Sequence, residues 1–246
     1  MENNYKIEGR NPVMEALKAD RQIDKIYILK GERHGSVNKI MGLARDKKIP
    51  IVEIDRKKLD EMSETKAHQG VIAYVSPVTY VGIADILARA EERGEQPFII
   101  LLDGIEDPHN LGSVLRTANA AGAHGVVITK HRSAHVNAAA VKTAAGACFY
   151  TPIAMVTNLV SAMKDLKKAG VWFYGADMDG ENDIFNTDFS GAVGIVIGSE
   201  GKGLSRVVKD ECDFIVSIPM MGEINSLNAS VSAGIMMYKV AEKRCK

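Results

Sequence analysis

The fold is decided by the stretch FIILLDGIEDPHNLGSVLRTA, residues 98–118. The apolar run over residues 98–102 is too short for a helix and too continuous for a half-exposed strand, so it predicts a strand buried on both faces. Asp, Gly and Pro then end the strand, and an apolar pattern at helical spacing begins near Asn110. A strand followed by a turn and a helix is the unit of an α/β fold, whose ligands bind at the carboxyl ends of the strands.

The same alternation continues to the end of the chain. Helical patterns lie between most of the remaining apolar runs, and a last helix is predicted from about residue 228 to residue 244. The runs that predict strands are residues 126–128, 171–174, 192–197 and 214–218. Fully apolar strands that alternate with helices predict a mainly parallel sheet covered on both faces.

The first 76 residues form a second, smaller α/β pattern, with strands predicted at residues 25–29, 49–54 and 71–75. They carry 15 Lys and Arg against 12 Asp and Glu, a surplus of about +3. A Ser-Pro break then leads into an acidic helix over residues 83–92. We therefore predict a domain over residues 1–76, a linker helix within residues 77–96 and a second domain over residues 97–246.

Composition excludes several classes of protein. Lys plus Arg and Asp plus Glu are both 31, so binding of nucleic acid by overall charge alone is not expected. No apolar run approaches about 18 residues, and the first residues lack the apolar core of a secretory signal, so we expect neither a membrane span nor secretion. The cysteines Cys148, Cys212 and Cys245 lie far apart, which fits a reduced, cytoplasmic protein without a zinc ribbon.

Three segments are candidates for chemistry. In the first, Arg116 lies on an otherwise apolar helix, where it either pairs with a carboxylate, snorkels at the helix edge or has a function. The second, IVIGSEGKGLS (residues 195–205), is a strand that ends in three glycines. It matches neither a phosphate-binding loop nor a dinucleotide fingerprint, and such a glycine-rich segment is more often a tight turn than a ligand-binding loop. The third, IPMMGEINSLNASVSAG (residues 218–234), offers more Ser and Asn side chains than one helix cap needs. The acidic run over residues 177–188 is interpreted as a solvated loop.

Together, and in this order, these segments resemble the SpoU/TrmH family of RNA ribose 2′-O-methyltransferases, within the SPOUT superfamily. The matching residues are Asn110, Gly112 and Arg116, then Gly198, Glu200 and Gly203, then residues 218–220 and 226–230. The sequences IEGRNPV (residues 7–13) and TKAHQG (residues 65–70) resemble the small substrate-binding domain of one branch, which methylates a guanosine ribose of large-subunit (23S) rRNA. The resemblance covers nearly the whole chain.

This resemblance implies a SPOUT-type, mainly parallel sheet with a C-terminal trefoil knot, preceded by a small α/β (L30e-like) substrate-binding domain. It also implies a homodimer and S-adenosylmethionine as the cofactor, with no metal. The residues expected to bind the cofactor are Gly175, Ala176, Gly198, Glu200, Gly201, Ile218, Met220, Ser226, Leu227 and Asn228.

The catalytic residues that the resemblance implies are Arg116, Asn110, Glu200, Ser226 and Asn228. A ribose hydroxyl is a poor nucleophile, so its attack on the methyl group needs a base or strong electrostatic help. Arg116 is expected to activate or orient this hydroxyl. Glu200, Ser226 and Asn228 are expected to hold Arg116, the cofactor and the ribose in line. Whether Arg116 acts as a base, stabilises the alkoxide or passes the proton to a phosphate stays open, although an arginine gives up a proton with difficulty.

The RNA that is modified is less determined than the reaction. The resemblance favours a guanosine of 23S rRNA, while transfer RNA or another rRNA nucleotide stays open, as does a non-catalytic RNA-binding protein of ribosome assembly on the same fold. The small charge surplus of the first domain favours recognition of structured RNA by shape. A nicotinamide-dependent dehydrogenase is disfavoured, because the turn over residues 103–112 lacks the required glycine triplet.

Overall fold

The computed structural model describes residues 6–18, 21–33, 35–63, 66–223 and 225–244. The chain divides into two compact units, Met1–Thr79 and Tyr80–Lys246. Thr65 of the N-terminal motif and Cys245 lie outside the described residues.

The first unit is a four-stranded sheet with helices. Its strands are β1 (Lys6–Glu8), β2 (Ile23–Leu29), β3 (Ile51–Ile54) and β4 (Val71–Val75), in the order β1-β4-β2-β3. β4 is antiparallel to β1 and β2, whereas β2 and β3 are parallel. The helices are α1 (Arg10–Lys18), α2 (Ser36–Asp46) and α3 (Arg56–Met62). The apolar faces of α1 and α2 pack on one side of the sheet, around the fully buried Val13, Leu17 and Ile40.

The second unit is built on a seven-stranded sheet in which every pairing of neighbouring strands is parallel. Its strands are β5 (Phe98–Asp103), β6 (Gly125–Thr129), β7 (Ile153–Val156), β8 (Trp172–Ala176), β9 (Asn182–Asp183), β10 (Val193–Gly198) and β11 (Phe214–Ser217). Their order is β7-β6-β5-β10-β8-β11-β9, so β10 lies between β5 and β8, two strands that precede it along the chain. The predicted parallel sheet is confirmed.

Helices cover this sheet. They are α4 (Ile83–Glu92), α5 (Pro108–Ala120), α6 (Ala138–Thr143), α7 (Leu159–Lys168), α8 (Arg206–Lys209) and α9 (Ala229–Arg244). The helix expected within the linker is α4, and its fully buried Ile86 packs in the core of the second unit with β5, β6 and α7. The division between the units accordingly falls before this helix, at Thr79.

The interpretation of residues 177–188 as a solvated loop was wrong for residues 182–184, whereas most of the other side chains in the segment are exposed. The segment contains β9, which pairs with β11, and Ile184 is fully buried. The carboxylate of Asp177 forms an ion pair with Lys209 at 3.0 Å. The acidic composition of the segment did not predict this short strand, which lies at the edge of the sheet.

The last helix runs the length of the sheet. At its end, the guanidinium of Arg244 donates hydrogen bonds to the carbonyls of Gln96, Pro97 and Gly191, at 2.6, 3.1 and 2.8 Å. These carbonyls precede β5 and β10, so the carboxyl end of α9 lies at the amino edge of the sheet and its first turn faces the opposite edge. Among the described residues no helix is both long and apolar enough to cross a membrane.

Candidate active site

The candidate site lies at the carboxyl edge of the parallel sheet. Because the strands are parallel, β5, β8, β10 and β11 all end at this edge, with Asp103, Ala176, Gly198 and Ser217 as their last residues. The loops that leave β5, β10 and β11 are the three segments singled out by the sequence. Open α/β sheets bind their ligands at such an edge.

The first segment leads from β5 into α5. Asp107 caps this helix, since its carboxylate accepts hydrogen bonds from the backbone N–H groups of His109 at 3.0 Å and Asn110 at 3.3 Å, with Pro108 in the first turn. The helix thus begins two residues before the predicted start. The side chain of Asn110 is 7% exposed and points away from the solvent-facing side of α5.

The second segment is a tight turn between β10 and α8. Ser199 and Gly203 exchange backbone hydrogen bonds at 3.1 and 2.9 Å, and Gly203 has φ of 64°. A Cβ on Gly198 would lie 2.1 Å from the carbonyl carbon of Gly203, so only glycine lets the turn fold back on the strand. The N–H of Ser205 donates to the carboxylate of Asp103 at 2.7 Å, which fastens the turn to the end of β5.

The third segment ends at Asn228, which caps α9. Its Oδ1 accepts hydrogen bonds from the N–H and hydroxyl of Ser230, at 2.9 and 2.6 Å, and from the N–H of Val231 at 3.3 Å. Its Nδ2 donates to Oδ1 of Asn110 at 3.0 Å and to Oε1 of Glu200. Asn228 therefore caps α9 and also joins the other two segments through its amide.

The three segments meet in one hydrogen-bonded cluster, formed by Asn110, Glu200 and Asn228. Glu200 Oε1 accepts from the amides of both asparagines, that of Asn110 at 3.1 Å. Its other oxygen, Oε2, makes no hydrogen bond to a described residue and can accept one from a ligand. The structure thus presents an oriented carboxylate at the ligand-binding edge.

The remaining predicted catalytic residues are exposed. Arg116 lies two turns along α5 from the cluster, and no described residue forms a hydrogen bond or an ion pair with its guanidinium. No hydrogen bond or ion pair joins Glu200 and Arg116, so the expected contact between them is not present. Ser226 lies exposed in the loop before α9. A charged guanidinium without a protein partner is available to bind an anion.

The predicted cofactor-binding residues lie in the three loops or at strand ends. Met220 and Leu227 are each 36% exposed and Ile218 is half-buried, so the loop after β11 offers apolar surface next to backbone amides. Gly175 differs, since a Cβ there would lie 2.7 Å from Leu204 and 2.9 Å from Cys212. It therefore serves close packing inside the sheet, and Ala176 is the residue that reaches the edge.

Several residues of this edge were missed by the sequence reasoning. Asp103 and Asp107 hold the turn and the first helix, as described above, and the Asp-Pro pair before a helix was a readable capping signal. His109 contacts the hydroxyl of Thr143 on α6 through Nδ1 at 3.1 Å, a contact between distant segments for which the sequence carries no signal.

The thiol of Cys212, which packs beside Gly175, is partly buried. Burial, followed by the charge of Asp213, raises its pKa to about 12, which favours the protonated thiol at neutral pH. The described residues also contain no group of three or more His, Cys, Asp or Glu side chains placed to hold a metal ion.

Comparison with known proteins defines the class. A model of the SpoU rRNA Methylase family matches residues 97–238, and a model of RNA 2′-O ribose methyltransferase substrate binding matches residues 6–81. A putative TrmH family tRNA/rRNA methyltransferase, YacO of Bacillus subtilis, is 44% identical over 236 residues, which cover 96% of this chain and 94% of the relative.

Solved structures agree. The SpoU methyltransferase AviRb from Streptomyces viridochromogenes, in complex with AdoMet, has a TM-score of 0.62 at 26% identity, covering 98% of this chain and 90% of its own. An AdoMet-bound rRNA methyltransferase from Sinorhizobium meliloti shares the fold over 98% of this chain and 88% of its own, with a TM-score of 0.60 at 24% identity. The TrmH/SpoU tRNA modifying enzyme of A. aeolicus covers 65% of this chain and 84% of its own, with a TM-score of 0.56 at 23% identity.

The fold and its site therefore define an S-adenosylmethionine-dependent RNA methyltransferase. The chain belongs to the SpoU/TrmH family of RNA 2′-O ribose methyltransferases.

The residues at the edge fit the cofactor. The side chains of Ile218, Met220 and Leu227 provide apolar surface for an adenine ring. The turn around Gly201 is open, since a Cβ added to this glycine would have no atom within 4 Å, and its backbone groups are therefore accessible. The unshared oxygen of Glu200 suits a ligand that carries positive charge. None of these contacts needs a metal, because the methyl group of a sulfonium is already activated.

Proposed function

We propose that this enzyme methylates the ribose 2′-hydroxyl of a guanosine in 23S rRNA. The observation that carries the proposed site is the cluster of Asn110, Glu200 and Asn228, with Arg116 exposed further along the same helix as Asn110. The choice of RNA is supported by domain architecture, since the rRNA methyltransferase from Sinorhizobium meliloti matches 98% of this chain, whereas the tRNA modifying enzyme matches 65%.

The reaction forms a bond between the ribose O2′ and the methyl carbon while the bond from that carbon to sulfur breaks. When bound, S-adenosylmethionine supplies a methyl group that leaves a neutral thioether behind. The hydroxyl must lose its proton to water or to a phosphate of the RNA as it attacks, so negative charge develops on O2′. We place the guanidinium of Arg116 at this oxygen, where its permanent charge stabilises the alkoxide and its N–H groups orient it.

The cluster supplies the positioning. Glu200 is held by amide donors from two segments, and we assign its free Oε2 to the cofactor. Asn110 and Asn228 keep that carboxylate in place, and we assign Ser226, exposed in the loop before α9, to contact with the bound molecules. Because alignment of the reacting atoms contributes strongly to rate, loss of one amide should cost catalysis as well as binding.

We assign cofactor binding to the three loops and the end of β8. The backbone around Gly198 and Gly201, the apolar side chains of Ile218, Met220 and Leu227, and the strand end at Ala176 surround the same edge. We propose a trefoil knot in this part of the chain, supported by the placement of β10 between two earlier strands.

We also propose that the enzyme is a homodimer that works in the cytoplasm. On α9, Val231 and Tyr238 are 48% and 55% exposed and lie seven residues apart, on one face of the helix. The same helix begins at the cluster, so a second copy packed on this face would lie next to the site.

The test is methyl transfer from labelled S-adenosylmethionine to large-subunit rRNA that lacks its ribose methyl groups, mapped by alkaline cleavage. One new alkali-resistant linkage, at a guanosine, is expected. Arg116→Ala should lower kcat about 10²- to 10³-fold, the usual effect of losing one group that stabilises an oxyanion. Its affinity for the cofactor, measured by calorimetry, should stay unchanged.

Arg93→Ala is the matched control, because Arg93 is an exposed arginine at the end of α4, on the amino-edge side of β5. It should leave kcat unchanged. Methyl transfer by Arg116→Ala at the normal rate would contradict the assigned role. Transfer to tRNA and not to rRNA would replace the proposed substrate, since the Bacillus subtilis relative is named for both.

A further inference from the structure

The second face of the N-terminal sheet is only partly covered by described residues. Helices α1 and α2 pack on the opposite face, and α3 covers one end of this face through Leu59, beside the buried Ile54 and Ile72. Tyr27 of β2 and Tyr74 of β4 pack against these residues and are half-buried. This part of the face combines aromatic rings with partly exposed side chains.

The two tyrosines form a defined pair. In the register of the sheet Tyr27 lies opposite Ile72, and Tyr74 lies opposite Lys25, so the tyrosines are diagonal neighbours on one face. Their ring centroids are 5.8 Å apart with an interplanar angle of 74°. The edge-to-face arrangement is a favourable one for aromatic rings, and the Tyr27 side chain in it stays partly exposed.

A lysine stands at this pair. The Nζ of Lys25 lies over the Tyr27 ring, 5.9 Å from its centroid, near the outer limit of a cation–π contact. Lys6 and Glu8 of β1 share the face, but Lys6 donates to the carbonyl of Met62 at 2.8 Å and its side chain is 16% exposed. The ammonium group of Lys25 can therefore move from the Tyr27 ring to bind an anion that approaches this face.

We propose that Tyr27 and Tyr74 stack an unpaired nucleobase of the RNA substrate, with Lys25 binding the adjacent phosphate. This subsite rests on the proposed function for the identity of the RNA. Proteins read single-stranded loops and bulges by stacking their bases on aromatic side chains exposed on a sheet, and a neighbouring cation holds the backbone.

Charge and domain identity favour RNA over another occupant. The substrate-binding model matches residues 6–81, nearly all of this unit, and residues 1–76 carry a positive surplus within a neutral chain. A base that stacks on the tyrosine rings is bound through its face and not through the hydrogen-bonding groups at its edge. The subsite therefore selects a nucleotide that is not stacked within the RNA, whatever its base. It would help the enzyme to find a loop in a folded RNA and would add nothing on a continuous duplex.

The experiment uses the full chain and protein-free large-subunit rRNA without its ribose methyl groups. For Tyr27→Leu, the Kd for this RNA and the KM in methyl transfer should rise about tenfold, as expected for the loss of one stacked base. The kcat and the affinity for S-adenosylmethionine should stay unchanged. Tyr27→Phe should restore binding, since the ring is kept.

Tyr150→Leu is the matched control, because Tyr150 is a 72% exposed tyrosine of the other unit. It should bind the RNA as the unmodified enzyme does, and thermal unfolding should show all three variants folded. Irradiation of the complex at 254 nm should attach a nucleotide to the peptide that contains Tyr27 or to the one that contains Tyr74.

The outcomes separate this inference from the proposed function. If the rRNA binds in a Tyr27-dependent way but accepts no methyl group, the proposed substrate is wrong and the subsite stands. If methyl transfer proceeds while Tyr27→Leu keeps the normal Kd and KM, or if neither peptide is crosslinked, the subsite is wrong. A Tyr27→Leu enzyme that changes only its sedimentation would show that the face binds protein.

Discussion

Asn228 combines two roles that substitution can separate, because its Oδ1 caps α9 while its Nδ2 joins Asn110 to Glu200. Asn228→Ala removes both. Loss of the cap costs about 1 kcal/mol of folding free energy. The buried Oδ1 of Asn110 also loses its donor, which costs roughly 1–3 kcal/mol. A total of about 2–4 kcal/mol lowers the Tm of a unit of this size by roughly 5–15 °C.

Asn228→Ser should keep the cap and lose the bridge. Serine caps helices as well as asparagine does, but its shorter side chain cannot reach both Asn110 and Glu200. We expect Asn228→Ser to recover about 1 kcal/mol of stability relative to Asn228→Ala. Both variants should bind S-adenosylmethionine more weakly and transfer methyl groups more slowly, to the same extent.

Asn158→Ala is the control for capping alone. Asn158 caps α7 by accepting a hydrogen bond from the N–H of Ser161 at 3.0 Å, and it is remote in sequence from all three loops. This variant should lose about 1 kcal/mol and keep full activity. The assays are thermal unfolding, calorimetric titration of the cofactor and the initial rate of methyl transfer. If Asn228→Ser restored activity as well as stability, capping would be the only role of Asn228 and the cluster would have no catalytic importance.

Two further changes test the turn and a buried histidine. Gly198→Ala should lower the free energy of unfolding by about 3 kcal/mol and abolish cofactor binding, because its Cβ would lie 2.1 Å from the backbone of Gly203. The control is Gly42→Ala in α2, where a Cβ has no atom within 4 Å; it should raise the free energy of unfolding by about 0.5–1 kcal/mol. Equal urea midpoints for the two variants would contradict this prediction. Burial lowers the pKa of His124, although a neighbouring carboxylate opposes this effect, and its Nδ1 accepts the N–H of Phe98 at 2.9 Å. The imidazole of His124 therefore binds a proton more readily in the unfolded chain than in the folded protein. Its contribution to the free energy of unfolding is fully present above about pH 6.5, and it is lost as the pH decreases through the lower pKa of the folded state. In His124→Asn the decrease in Tm between pH 7 and pH 5 should be smaller, and an unchanged decrease would refute the assignment.

Elements with a long, regular apolar pattern were predicted well. The acidic helix was expected at residues 83–92 and is present as α4 over that range, and the last helix was placed within one residue of its start. The missed elements are short: β1 has three residues, β7 four and β9 two. A strand of this length has too few residues to show a period and depends on its neighbours for stability.

Helix α3 was also missed, although a capping signal was available. Asp55 accepts the N–H of Lys58 at 2.9 Å, in the pattern of an acidic residue just before a helix. Its seven residues contain one fully buried side chain, Leu59, so the apolar stripe that identifies most helices is almost absent.

The sequence by itself determined the alternation of strands and helices, the parallel sheet and the three loops that leave its strands. These are local properties, because periodicity, caps and glycine turns act over a few residues. Only the tertiary structure decided which side chains meet. Glu200 and Asn228 lie 90 and 118 residues along the chain from Asn110, and the three join because β10 lies next to β5 and α9 begins at the same edge. Arg116 has no hydrogen-bond or ion-pair partner among the described residues, because it lies six residues from Asn110 on α5 and therefore on a different face of that helix from the cluster.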